Sequence, residues 1–117
     1  MSDPKYIESG PIMSQAVTYN GTAYLAGQVA IDSREADFAT QAAEIFKRID
    51  TQLAAAGTDK SRLLAATVWI TDLANFAAFN EAWTAWLDGN PAPSRATVRA
   101  DLVLPGLLLE IQVTAAL

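Results

Sequence analysis

Two stretches of the chain carry apolar residues at a helical period. Between residues 37 and 56 they lie three or four positions apart on one face, and Gly57 follows as a stop. A second helix, capped by Asp72 or Asn75, carries four aromatic residues at the same spacing: Phe76, Phe79, Trp83 and Trp86. The pattern therefore predicts two amphipathic helices. The polar residues expected mostly on the outer face of the first are Gln41, Glu44, Lys47, Arg48 and Gln52.

The stretches around these helices have the pattern of strands. Residues 14–32 form two segments that meet at Asn20-Gly21, a dipeptide typical of tight hairpins because both residues tolerate positive φ. Residues 62–73 form a largely apolar strand, which we expect to be buried on both faces. Two more strands, 94–102 and 107–115, flank Pro105-Gly106, and this short turn predicts that they pair antiparallel.

This order of elements predicts an α+β fold with two helices on one face of a mixed sheet. A chain of 117 residues is long enough for one core, so residues 1–117 are expected to form a single domain. The other face of the sheet would stay uncovered, and several of its residues are apolar or small. An uncovered apolar face of this size favours association, so we expect a homo-oligomer.

Composition excludes several kinds of chemistry. The chain has no cysteine and no histidine, which excludes thiol nucleophiles, a Ser-His relay and thiolate or imidazole metal ligands. A net charge of −5 argues against nucleic acid as the main partner. No apolar run is long enough to span a membrane, and the first ten residues lack the basic and apolar regions of a secretory signal. We therefore expect a cytoplasmic protein.

Two charged residues on the predicted C-terminal hairpin are the strongest candidates for chemistry. Arg95 shares a strand face with Thr97 and Arg99, and Glu110 lies in the facing strand. A guanidinium binds a carboxylate through two parallel hydrogen bonds, and a half-buried glutamate can exchange protons. The pattern alone leaves open a structural ion pair or a functional site. Arg99 and Asp101 fit charges at the rim better than ligands.

Four motifs resemble the Rid (reactive intermediate deaminase, YjgF) family, and they cover most of the chain. They are SQAVTYNGTAYLAGQVAID from Ser14, an N-x-x-W-x-x-W helix from Asn80, PSRATV, and LEIQVTA with its acidic residue fifteen positions after Arg95. The resemblance implies a chorismate-mutase-like fold: a six-stranded, mostly antiparallel mixed sheet with two helices on one face. It also implies a homotrimer with ligand clefts between subunits, and neither a metal nor an organic cofactor.

The activity that the resemblance implies is hydrolysis of C=N bonds. Short-lived enamines and imines such as 2-aminoacrylate and 2-iminopropanoate would become a 2-keto acid and ammonia. Arg95 would clamp the substrate carboxylate beside the backbone of Thr97, and the backbone of Gly27 would line the same pocket. Glu110 would position or activate the attacking water. Asn80 matches a family position near the cleft.

Two departures from the family pattern place the chain in a divergent branch. Met13 stands where the best-characterised deaminases carry a tyrosine, and Ala26 stands in place of a serine, so the pocket loses two hydroxyls. Two other functions therefore stay open beside the deaminase. One is a non-catalytic trimer that binds a small carboxylate metabolite, and the other is a hydrolase of a related catabolic enamine or carbamate.

Overall fold

The computed structural model describes residues 3–117, where seven strands and two helices follow one another along the chain. The strands are β1 (Lys5–Ser9), β2 (Ser14–Tyr19), β3 (Thr22–Leu25), β4 (Gln28–Val29), β5 (Leu63–Ile70), β6 (Ser94–Arg99) and β7 (Leu109–Ala116). The helices are α1 (Phe38–Ala56) and α2 (Phe76–Leu87). Short 3₁₀ turns at Lys60–Arg62 and Leu73–Asn75 lead into β5 and α2.

All strands join one sheet, in the order β1-β2-β3-β7-β5-β6 with β4 beside β7. Only β5 and β6 pair in parallel within the described residues, and the other pairs are antiparallel. The predicted α+β fold with a mostly antiparallel mixed sheet is confirmed. The described sheet has seven strands instead of six, because a break after Leu25 separates β3 from the two-residue β4 on the same side of β7.

Local sequence signals explain the ends of several elements. Asn20 and Gly21 both have positive φ and connect β2 to β3, as the hairpin dipeptide predicted. The Asp37 side chain accepts a hydrogen bond from the Thr40 N–H and caps α1, which ends at Gly57 with a φ of 90°. Asp72 caps the 3₁₀ turn before α2. The predicted helices are therefore both present at nearly the predicted positions.

Both helices cover the same face of the sheet. On β5, Ala66, Val68 and Ile70 point into the helix-covered core, whereas Thr67 and Trp69 alternate onto the uncovered face and stay partly exposed. The prediction that this strand is buried on both faces is wrong for the single chain, because no second layer covers that side. Within the described residues, neither helix is both long and apolar enough to cross a membrane.

The predicted C-terminal hairpin is wrong. β6 and β7 do not pair with each other, because β5 lies between them and pairs with both. The unit β5-α2-β6 is instead a parallel crossover through a helix, which brings β6 to the edge of the sheet. The segment 100–108 is long enough to pass the end of β5 and return to its other side.

Gln41 and Gln52 are buried, contrary to the polar face predicted for α1. The Gln41 amide donates hydrogen bonds to the carbonyls of Ala36 and Gly106 at 3.1 and 2.8 Å, and its oxygen accepts one from the Leu108 N–H at 2.9 Å. This side chain therefore satisfies backbone groups of the segment that leads into β7, which explains why a polar residue occupies a fully buried position.

Gln41→Met should lower the free energy of unfolding by about 1–3 kcal/mol, since it leaves buried backbone groups without partners while keeping a similar volume. Urea denaturation at matched protein concentration measures the change. Lys47→Met is the control, because Lys47 lies exposed on the same helix. Equal stability of the two variants would contradict the role assigned to Gln41.

Candidate active site

Arg95 is held against α2 by aromatic rings and one hydrogen bond. Its Cζ lies 5.1 Å from the ring centroid of Phe79, 5.4 Å from that of Trp83 and 6.0 Å from that of Phe76. Its Nη2 donates to Asn80 Oδ1 at 2.8 Å. Burial lowers the pKa of the guanidinium, which still carries its charge at any working pH. The aromatic faces and the amide together fix the direction of this cation.

Thr97 follows Arg95 on the same face of β6, and its backbone lies at the free edge of the sheet. The Ala100 N–H, three positions later, donates to the Ile70 carbonyl of β5 at 3.1 Å. Because N–H groups alternate in direction along a strand, those of Thr97 and Arg99 point away from β5. The Thr97 hydroxyl is buried and has no hydrogen-bond partner within the described residues. This edge therefore offers unused backbone donors beside Arg95.

Glu110 lies on the uncovered face, where β7 passes between β4 and β5. It stands opposite Val29 on one side and Trp69 on the other. Burial raises the pKa of its carboxyl above the usual range. Within residues 3–117 both ion pairs belong to Arg48, so Glu110 has no charged partner in its own chain. A half-buried carboxyl in this state can exchange a proton with a nearby water or ligand.

Gly27 packs directly on the Glu110 carboxyl. A Cβ at this position would lie 3.0 Å from Glu110 Cδ and would overlap Oε2. Only a residue without a side chain therefore lets the backbone between β3 and β4 approach the carboxyl so closely. In the structure Gly27 packs against the Glu110 carboxyl, and its role in lining a substrate pocket stays a prediction.

The other two predicted pocket residues lie close in the fold to Gly27. Ala26 precedes it, and the Ala26 N–H donates to the Gln15 carbonyl at 2.9 Å. Met13 lies two residues before Gln15, immediately before β2, with 49% of its surface exposed. Both side chains are apolar, so neither supplies a hydroxyl near Gly27.

Gln28 follows Gly27 in the chain and faces the core beside Ile111, and it was missed as a functional candidate. It is almost fully buried, and its amide donates to Gln15 Oε1 at 3.1 Å and to the Ala26 carbonyl at 3.2 Å. These bonds hold the segment that presses on Glu110. The signal in the sequence was a glutamine within the otherwise apolar stretch LAGQVA, where a polar residue needs partners.

The seven predicted site residues thus form two groups on opposite faces of the sheet. Arg95, Thr97 and Asn80 lie on the helix-covered side at the β6 edge, where the register places Arg95 beside the buried Ala66. Glu110 lies on the uncovered side with Gly27, Ala26 and Met13. The expectation that the hairpin brings Arg95 and Glu110 together is therefore wrong within one chain. The alternative of an intrachain ion pair between them is wrong for the same reason.

Known proteins with this sequence pattern and fold share one family. A family model described as Endoribonuclease L-PSP matches residues 8–117. A RutC family protein of Haemophilus ducreyi is 42% identical over 104 residues, covering 89% of this chain and 88% of that protein. The crystal structure of NMB1025 from Neisseria meningitidis, a member of the YjgF protein family, superposes with a TM-score of 0.89 at 35% identity, covering 97% and 94% of the two chains.

A second solved structure agrees with the first. YyfA of Yersinia pestis, a Rid family protein of unknown function, gives a TM-score of 0.92 at 31% identity over 98% of this chain and 100% of that one. The chain belongs to the Rid/YjgF family. The resemblance seen in the sequence motifs is thereby confirmed, and the Rid fold accounts for the β5-α2-β6 crossover that separates Arg95 from Glu110.

In this Rid protein, Glu110→Gln should raise the free energy of unfolding at pH 7 but change it little below about pH 4. The folded state holds the Glu110 proton more tightly than the unfolded state, because burial penalises the charged form. The free-energy cost of ionising buried Glu110 is therefore absent at pH values below the pKa that this carboxyl has in the unfolded chain. The cost grows as the pH rises through its pKa in the folded protein. Urea denaturation at both pH values tests this, with the exposed Glu81→Gln as control. A gain that is the same at both pH values would contradict it.

Proposed function

We propose that this protein is an imine and enamine deaminase that hydrolyses small 2-imino acids to a 2-keto acid and ammonia. The single observation that carries this proposal is the state of Arg95. Within the described residues its guanidinium has no carboxylate partner, yet three rings and Asn80 hold it in place. A fixed and unneutralised guanidinium is suited to bind the carboxylate of a ligand.

Arg95 and the edge of β6 bind the substrate carboxylate in this proposal. The guanidinium supplies two donors in one plane, and the outward Thr97 N–H supplies a third. Asn80 acts on Arg95 and not on the substrate, because its Oδ1 accepts a hydrogen bond from Nη2. The carboxylate is thereby fixed at one end, which holds the neighbouring C=N carbon in a constant position.

Glu110 handles the proton in the chemical step. A water attacks C2, a C–O bond forms, and the water proton passes through Glu110 to the nitrogen. The proton of the new hydroxyl then passes to the amine nitrogen, the C–O bond becomes C=O, and the C–N bond breaks to release ammonia, so the reaction needs no oxidant or reductant and no co-substrate besides water. A raised pKa brings the carboxyl closer to neutral pH, where proton transfer in both directions is more favourable. The contact with Gly27 keeps the carboxyl directed toward the uncovered face.

The two groups of site residues meet between copies of the chain. One copy supplies the Arg95 edge, and its neighbour supplies the Glu110 face. Association through the uncovered sheet face, which carries Trp69, Tyr24 and Val98, would cover apolar surface and close the cleft in the same step. The homotrimer implied by the family resemblance gives three such clefts.

The acidic composition favours imine chemistry over cleavage of RNA, although the family description names an endoribonuclease. A net charge of −5 does not provide the positive surface that phosphate backbones require.

Met13 and Ala26 favour a second candidate, a trimer that binds a small carboxylate without turnover, because they remove hydroxyls from the Glu110 side. The cytoplasmic location stays a prediction.

Arg95→Ala should reduce kcat/KM for the imine of alanine by about two orders of magnitude or more, since it removes a charge-assisted contact that orients the substrate. Glu110→Gln should lower kcat more than it raises KM. An amino-acid oxidase supplies the imine, and the decline of its semicarbazide adduct measures hydrolysis. Binding of a 2-keto acid without faster hydrolysis by the unaltered protein would favour the non-catalytic candidate.

Mixing the two inactive variants should restore activity if each cleft takes Arg95 from one copy and Glu110 from the next. In a 1:1 mixture of Arg95→Ala and Glu110→Gln chains that are unfolded and refolded together, about three-quarters of the trimers are mixed. Each mixed trimer contains one intact cleft, so about a quarter of the wild-type activity should return. A site built within one chain would give no restoration, and each variant refolded alone is the control.

A further inference from the structure

Arg99 lies on the same strand face as Arg95, two positions further along that face and one beyond Thr97. The two residues are four apart on β6, so their Cα atoms are separated by roughly 13 Å and their side chains leave the strand on the same side. Arg99 is exposed, and within residues 3–117 it has no ion pair and no side-chain hydrogen bond. In a chain of net charge −5, two unpaired guanidiniums on one strand face form a local positive edge.

The surroundings of Arg99 leave room for a ligand group. Arg99 lines an open polar pocket of about 430 Å³ together with Thr71, Ala100 and Asp101, where β5 and β6 end. The backbone N–H of Arg99 points to the free edge of the sheet, as does that of Thr97. The Arg95 guanidinium lies nearest the rings of Phe79 and Trp83, and 6.0 Å from the ring centroid of Phe76, the first residue of α2.

We propose that Arg99 is a specificity-determining residue that binds the second carboxylate of a 2-imino dicarboxylic acid. The first carboxylate, next to the C=N carbon, lies on Arg95 and the Thr97 N–H, so this inference rests on the proposed function. The distal carboxylate extends along the β6 edge to the Arg99 guanidinium and its backbone N–H. The chemistry is unchanged: water adds to C2, the C–N bond breaks, and a 2-keto dicarboxylic acid and ammonia are released.

Asp101 lies beside Arg99, and its removal should change the affinity for a dicarboxylate in the direction opposite to the removal of Arg99. Its carboxylate lines the same pocket, but no oxygen of it lies within ion-pair distance of Arg99. Asp101 therefore does not neutralise Arg99 by direct contact, and it would repel a second substrate carboxylate bound there. Removing the charge of Arg99 and that of Asp101 should change the affinity for a dicarboxylate in opposite directions.

The experiment compares two imines and two 2-keto acids on the intact protein. L-Glutamate oxidase supplies the imine of glutamate, and an L-amino-acid oxidase supplies that of alanine. Arg99→Gln should lower kcat/KM for the glutamate imine about tenfold more than for the alanine imine, as expected for loss of one charge-assisted hydrogen bond. By calorimetry, Arg99→Gln should weaken binding of 2-oxoglutarate more than that of pyruvate, and Asp101→Asn should strengthen binding of 2-oxoglutarate.

Arg34→Gln is the matched control, because Arg34 is also exposed and unpaired within the described residues but lies outside the β6 edge. It removes the same charge. It should leave unchanged the ratio of kcat/KM for the glutamate and alanine imines and the ratio of the affinities for 2-oxoglutarate and pyruvate. Equal effects of Arg99→Gln on both imines, or none on either, would overturn the proposal for Arg99 while leaving the deaminase proposal intact. If no imine is hydrolysed, the deaminase proposal fails, and the calorimetric comparison still decides whether Arg99 selects dicarboxylates.

Discussion

The parallel pairing of β6 with β5 is the contact on which the candidate site depends. It makes α2 a crossover between the two strands, and so Arg95 meets the Phe79 and Trp83 rings of that helix. It also puts β6 at the edge of the sheet, where alternate backbone N–H groups stay unused. Finally, it leaves β5 between Arg95 and Glu110, and the register puts Arg95 beside Ala66 and Glu110 beside Trp69, which lie on opposite faces of the sheet.

The sequence was informative where structure depends on near neighbours. The Asn20-Gly21 turn, the Gly57 stop after α1 and the aromatic spacing of α2 all act within a few residues, and all were predicted. The pairing of β6 was mispredicted because proximity along the chain was taken as proximity in the sheet. The strand–helix–strand order of β5, α2 and β6 already favoured a parallel crossover, and the nine residues 100–108 exceed a tight turn.

The candidate site was predicted as a set of residues but not as an arrangement. Which face a residue occupies follows from alternation once the pairing is known, so the wrong partner for β6 gave the wrong geometry for Arg95 and Glu110. The burial of Gln41 depends on backbone groups distant in the chain, such as the Leu108 N–H, and that of Gln28 depends partly on the Gln15 side chain of another strand. No local pattern encodes such partners, although a polar residue in an apolar stretch indicates that they exist.

Within the described part of the chain, three polar groups of the site are incompletely paired. The Arg95 guanidinium and the Glu110 carboxyl have no ion-pair partner, although Arg95 donates to Asn80, and the buried Thr97 hydroxyl has no hydrogen-bond partner. An unsatisfied buried group costs about 1–3 kcal/mol, which is large beside the stability of a small domain. The same rings that hold Arg95 also build the core, since Phe79 is fully buried and Trp83 packs on Phe46. The core therefore supports the Arg95 guanidinium directly, so a change in the packing of Phe79 or Trp83 acts on the direction of this cation as well as on the core.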